Sequence, residues 1–144
     1  MDTGLTATVP PPKFDHLLGL TDRRGTFEHE TADRRLSPTP IAGRGPEDAR
    51  PAFDQQPVQV SALADACARA AVVDNDPMWS DGVRAAVAWF LGVNDAGEPM
   101  WDPGTGAGYE GLQADGVNSS PCAESTLAVI STLQQARRLS TVLQ

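Results

Sequence analysis

The sequence predicts an all-α chain of helical hairpins separated by long loops. Apolar residues in its second half recur at 3.6-residue spacing, and Pro stands at the first position of two such segments. The one strand-like stretch, Glu98-Pro99-Met100-Trp101, is short and interrupted. One helix is expected to start after Gln56, with Pro57 first, and to run to about Val73. It would turn Val60, Leu63, Ala64, Cys67 and Ala71 inward. A second takes Asp76 as N-cap and Pro77 as its first residue, and continues to about Val93. Met78, Val83, Val87, Phe90 and Leu91 are expected on its buried face, with Trp79 and Trp89 at the margins. Gly82 weakens it by roughly 1 kcal/mol relative to Ala. A third begins near Ser120 and Pro121 and ends around Arg138. It carries Leu127, Ile130 and Leu133 on one face and Arg137 and Arg138 at its C-terminal dipole.

The remainder is irregular. Residues 1–12, ending in Pro10-Pro11-Pro12, are read as a flexible or polyproline arm, and 13–144 as a single domain. A short helical segment over Lys13 to Leu20 would align Phe14, Leu17 and Leu18. Residues 30–53, broken by Pro38, Pro40, Pro46 and Pro51, form a long loop, and so do 94–119, rich in Gly, Asp and Asn. Helical hairpins that gather elaborate loops at one end present a binding face there.

Composition narrows the function. With 144 residues and a net charge of −8, the chain has one domain's length and lacks the basic stripe that a nucleic-acid reader needs. Its longest apolar stretch, Ala85 to Val93, is nine residues, where a membrane span takes ~20. Met1-Asp2-Thr3-Gly4 opens no secretory signal, so the expectation is a cytoplasmic protein without a membrane segment. Cys67 and Cys122 are read as plain reduced thiols. No metal or cofactor is expected: His16 and His29 alone make no ligand set, and packing roles suit them better. Gly106-x-Gly108-x-x-Gly111 matches a dinucleotide fingerprint as a string, without the strand before it and helix after it that the chemistry requires. Ser125 has neither an elbow motif nor a neighbouring histidine.

Two clusters carry candidate chemistry. Asp54, Gln55 and Gln56 stand just before a helix start, where a carboxylate, two amides and free N–H groups can bind several hydroxyls at once; the competing reading is an ordinary N-cap. Downstream, Trp101 and Tyr109 can stack on a pyranose, while Asp102, Glu110, Asp115 and Asn118 take its hydroxyls. Glu124 follows in the first turn of the third helix. Carboxylates from two loops are the minimal equipment for glycoside chemistry; turn formation and dipole compensation are the competing reading.

Several strings together resemble a bacterial family of the six-hairpin glycosidase superfamily, often labelled glycosyltransferase and associated with mannoside-processing enzymes. They are Phe53-Asp54-Gln55-Gln56-Pro57, then Ala88-Trp89-Phe90-Leu91-Gly92-Val93-Asn94-Asp95, then Asp102-Pro103-x-Thr105-Gly106, then Gly111-Leu112-x-x-Asp115-Gly116-Val117-Asn118, then Ala123-Glu124-Ser125-Thr126-Leu127-Ala128. The stretch from His16 to His29 is similar to the family's opening, and it joins almost directly to the C-terminal part, so the middle hairpins have no counterpart. The resemblance implies a partial (α/α) toroid that acts on or binds a sugar or glycoside. It casts Asp54 and Glu124 as catalytic carboxylates, with Gln55, Gln56, Trp101, Asp102, Tyr109, Asp115 and Asn118 as substrate-binding groups. Gln59 stands where that family has an acid, Gln113 where it has histidine, and Ser120-Pro121-Cys122 where it has Asn-Gln-Gly. These departures support the alternative of a non-catalytic remnant or helical interaction module. A homodimer or a companion chain would then cover exposed helix faces.

Overall fold

A computed structural model describes residues 35–43 and 51–142. The expected N-terminal arm, the Lys13 to Leu20 helix, His16 and His29 lie outside the described residues. The element order is α1 (Pro57–Val73), α2 (Pro77–Phe90), β1 (Tyr109–Gln113), β2 (Gly116–Pro121) and α3 (Ala123–Val142). The expectation of an all-α partial toroid is thereby corrected. Three helices are joined by an antiparallel β-hairpin, and the domain is mixed α and β.

Local chemistry sets the helix ends. Pro57 opens α1 after an extended Gln56, its fixed φ and missing N–H costing nothing at a first helical position. Asp74 organises the turn to α2: one carboxylate oxygen accepts from the Asp76 N–H at 3.2 Å, the other from the Trp79 indole at 2.9 Å. The Asp76 side chain caps α2 by accepting from the Met78 N–H at 2.9 Å. Helix α2 stops at Phe90, three residues before the expected Val93. Gly92 takes φ 105°; its N–H bonds Trp89 O, and the Val93 N–H reaches back to Ala88 O. That is a glycine-terminated Schellman end.

The core has two stories. One unites Val60 and Ala64 of α1, Ala85, Ala86, Trp89 and Phe90 of α2, and Ala128 and Val129 of α3, together with Leu36, Met100 and Leu112. The other unites Cys67 and Ala68, Val83 and Val87, and Ala136 and Leu139. The first half of α1 thus meets the second half of α2 and the first half of α3, so the helices run up, down and up. The hairpin and the segment before α1 cap the end where α1 and α3 begin.

Two packing expectations need correction. Trp89 is not marginal. It is fully buried, its ring edge-on to Phe90 with centroids 5.1 Å apart. Helix α3 is rotated from its expected face: Leu127 is 66% and Ile130 45% exposed, and of the three expected residues only Leu133 packs against the core, while Ser125, Ala128, Val129, Thr132, Ala136 and Leu139 turn inward. Small residues let α3 sit close against two helices at once. Among the described residues no helix is long and apolar enough to cross a membrane.

The Thr132 hydroxyl is fully buried with no hydrogen-bond partner. An unpaired buried hydroxyl costs about 1–3 kcal/mol. Thr132→Val, which keeps the branched shape, should therefore raise stability by about 1 kcal/mol. Thermal unfolding of the two proteins checks this, and a lower melting temperature in the variant would mean that the hydroxyl has found a partner.

Candidate functional site

Gln55 organises the capped end. It is completely buried, and each of its polar groups is paired. Its backbone N–H and C=O exchange hydrogen bonds with Leu112 of β1, both at 2.9 Å. The carboxamide nitrogen donates to Ala52 O at 3.0 Å and to an Asp95 oxygen at 2.6 Å; the carboxamide oxygen accepts from the Trp89 indole at 3.2 Å. The other Asp95 oxygen accepts from Arg35 Nε at 2.8 Å. A strap from Arg35 to Ile41 grips the same segment from the other side. Leu36 enters the core and the Ile41 N–H donates to Asp54 O at 2.8 Å.

The Gln55–Leu112 bridge adds a third extended segment beside the hairpin. Alternation along such a segment sends Asp54 and Gln56 to the face opposite the buried Gln55. An antiparallel bridge at Gln55 and Leu112 sets Gln56 beside Gly111, and a Cβ on Gly111 would lie 3.1 Å from Gln56 Nε2. Across the hairpin, Gly111 pairs with Asn118. The outer face therefore carries a row Gln56–Gly111–Asn118 over an inner row Gln55–Leu112–Val117. Glu110 borders the outer row, its carboxylate accepting from Asn118 Nδ2 at 3.0 Å. Gly116, at φ 130°, closes the hairpin after Ala114 and Asp115 and lies beside the Glu98 carboxylate. The result is a surface on which the Gln56 carboxamide lies over the buried Gly111 and whose borders are amides and carboxylates. Such groups can donate to and accept from a ligand's hydroxyls at once.

The remaining predicted residues divide. Asp54 is half-buried beside this face, and Asp115 is exposed in the hairpin loop. Glu124 is exposed in the first turn of α3, at the same end of the bundle as Asp54 but on another element. Asp102 shapes its own turn, accepting from the Gly104 N–H and the Thr105 hydroxyl, both at 2.8 Å. Those donors hold its carboxyl below the usual carboxylate range. Trp101 and Tyr109 both pack against the core and keep part of their surface open. Among the described residues no group of three or more His, Cys, Asp and Glu is placed to hold a metal ion.

Sequence reasoning missed Arg35 and Asp95, since nothing local marks an ion pair 60 residues apart. It also missed Asn94. That side chain accepts from the Ala96 and Gly97 N–H groups and donates to Trp89 O and Glu98 O, shaping the loop that presents Asp95. The sequence Asn94-Asp95-Ala96-Gly97 is a turn pattern from which this could have been read.

The hairpin is locked to the start of α3. Gly108 N–H donates to the Thr126 hydroxyl at 2.9 Å, and the Cys122 N–H donates to Gly108 O at 3.0 Å. The Ser125 N–H and hydroxyl hold the Cys122 thiol below its ordinary range, whereas burial pushes the Cys67 thiol up.

A search of protein-family models and a search of curated proteins each give no match to this chain.

Two outcomes follow from this packing. A Cβ on Gly108 would stand 2.5 Å from the Ser125 backbone, which cannot swing aside as a side-chain tip can. Gly108→Ala should cost about 3 kcal/mol, and Gly111→Ala, which meets the flexible end of Gln56, about 1 kcal/mol or less. Equal denaturation midpoints for these two variants would show that the turn is looser than described. In thiol alkylation followed by mass spectrometry, Cys122 should react at a lower pH than an ordinary cysteine, and Cys67 should stay protected until the chain unfolds. Faster labelling of Cys67 in the native protein would contradict the packing.

Proposed function

We propose that this chain is a carbohydrate-binding domain that holds a neutral sugar or glycoside, with mannosides the first class to test, without turning it over. The observation that carries this reading is the outer row Gln56–Gly111–Asn118, bordered by Asp54 and Glu110. The Gln56 and Asn118 amides that flank the buried Gly111 carry donors and acceptors of the kind a sugar's hydroxyls need. The family resemblance points to the same ligand class.

Electrostatics selects among sugars. Asp54, Glu98, Glu110, Asp115 and Glu124 all belong to the capped end. Arg69, in the far half of α1, is paired with Asp65, and Arg84, at the middle of α2, with Asp81. Among the described residues of this end, uronates and sugar phosphates would meet many carboxylates and the single cation Arg35, which Asp95 already holds. Asp54 and Glu124, cast as catalytic by the resemblance, stand in this reading as acceptors for sugar hydroxyls.

A second reading, a helical interaction module covered by a second copy or a companion chain, is favoured by the exposed Leu127 and Ile130 of α3. Concentration-dependent melting would support it.

The test is thermal unfolding of the purified chain against mannosides, other neutral glycosides, uronates and sugar phosphates. A neutral sugar at 100 times its Kd should stabilise the fold by about 2.7 kcal/mol through mass action. Gln56→Ala and Asn118→Ala should each weaken that sugar about fivefold, the worth of one net hydrogen bond of about 1 kcal/mol. Melting indifferent to every sugar, or shifted only by the acidic ones, would sink the reading.

A further inference from the structure

We propose that Asp95 is the positioning residue of this face: by orienting the buried Gln55 carboxamide, it fixes where Gln56 stands over Gly111 and Asp54 beside Gln113. The functional half rests on the sugar-binding reading above; the geometric half does not.

A carboxamide can turn end for end, and its partners decide which way it stands. Gln55 has one partner that can only donate, the Trp89 indole N–H, and two that can only accept, Ala52 O and, at the shorter distance, the Asp95 carboxylate. With the indole on the oxygen and the carboxylate on the nitrogen, a single orientation satisfies both. Trp89 is locked in the core. Asp95 is equally fixed: its side chain is 3% exposed, Arg35 Nε occupies its second oxygen, and the bonds made by Asn94 shape the adjoining loop. The Gln55 backbone carries this side-chain lock to the hairpin, its N–H and C=O both bound to Leu112. The two neighbours of a residue so held, Asp54 and Gln56, inherit its register against the hairpin. Asp95 touches neither of them and acts only through Gln55.

The experiment compares the native chain with Asp95→Ala and Asp95→Asn. Asn keeps an oxygen able to accept from Gln55 Nε2 and loses the charge that Arg35 uses. Three quantities are read: the melting temperature, the nuclear Overhauser contact between the Gln56 side-chain amide and the Gly111 Hα, and affinity for whichever sugar shifts native melting. Asp95→Ala should unfold cooperatively at lower temperature, lose the Gln56–Gly111 contact and bind the sugar at least tenfold more weakly. Asp95→Asn should restore the contact and most of the affinity while its melting temperature stays low, a rescue that a purely stabilising ion pair would not give. A contact that persists in Asp95→Ala, or affinity that tracks melting temperature through both variants, overturns the proposal. Should Asp95→Ala not fold, Gln55→Met decides: it keeps the chain length and drops the bonds to Asp95 and Trp89, and a surviving Gln56–Gly111 contact there overturns the proposal equally. If no sugar binds the native chain, the sugar reading fails while the contact still decides the positioning role.

Discussion

The buried carboxamide of Gln55 is the interaction on which the capped end depends. Transferring an amide out of water without partners costs roughly 2–7 kcal/mol, so a glutamine with no exposure is tolerable only where each of its groups is met. Here they are met from four directions: Leu112 in the hairpin, Trp89 in α2, Ala52 in its own segment and Asp95 in the loop after α2. An apolar residue at this position would bury as well and would not tell these segments how to align. The amide's requirement for two acceptors and one donor excludes neighbouring registers, since a one-residue slip would put Asp54 or Gln56 into the core and Gln55 into water. Burial of apolar surface holds the three helices together. Polar pairing decides how the loops lie on them.

That division explains what was legible in the sequence. Pro57, Asp76 and Pro77 act through their own backbone neighbourhood, so the starts of α1 and α2 could be read directly. The hairpin could not. Asp115-Gly116 is a turn pattern, but β1 contains Gly111, only Leu112 of the hairpin buries an apolar side chain completely, and β2 ends in Ser119, Ser120 and Pro121. Such strands have little propensity of their own and exist because Gln55 pairs with Leu112 and Gly108 is pinned to α3. The rotated face of α3 has a related cause. Ranking side chains by apolarity puts Leu127 and Ile130 inside, yet a helix wedged against two others needs narrow residues, and Ala128, Thr132 and Ala136 meet that need.

The candidate residues were legible as a cluster and not as individuals. Asp54, Gln55, Gln56 and the 101–118 loop do converge at one end, because α1 and α3 both begin there. Their tasks differ in ways that spacing does not encode. Gln55 was expected to meet ligand and is wholly consumed by the fold; Asp102 is occupied by Gly104 and Thr105. Gln56 and Asn118 remain on the surface because their cross-strand neighbour is a glycine, a relation visible only once Gln55 and Leu112 are paired.

The shape of the face also bears on how tightly it can hold anything. A net hydrogen bond contributes about 1 kcal/mol, so the handful of groups around Gly111 supplies a few kcal/mol before the cost of immobilising the ligand is subtracted. On that arithmetic a single sugar is held at about the millimolar level, and only if the groups already stand where the ligand needs them. A surface whose amides had to be ordered at the moment of binding would lose that margin. The connection from Arg35 through Asp95 to Gln55 lies beneath the face rather than on it, and this is where rigidity has the most effect. It fixes the spacing of the outer row, in which Asn118 is itself oriented by the Glu110 carboxylate and the Ser120 N–H.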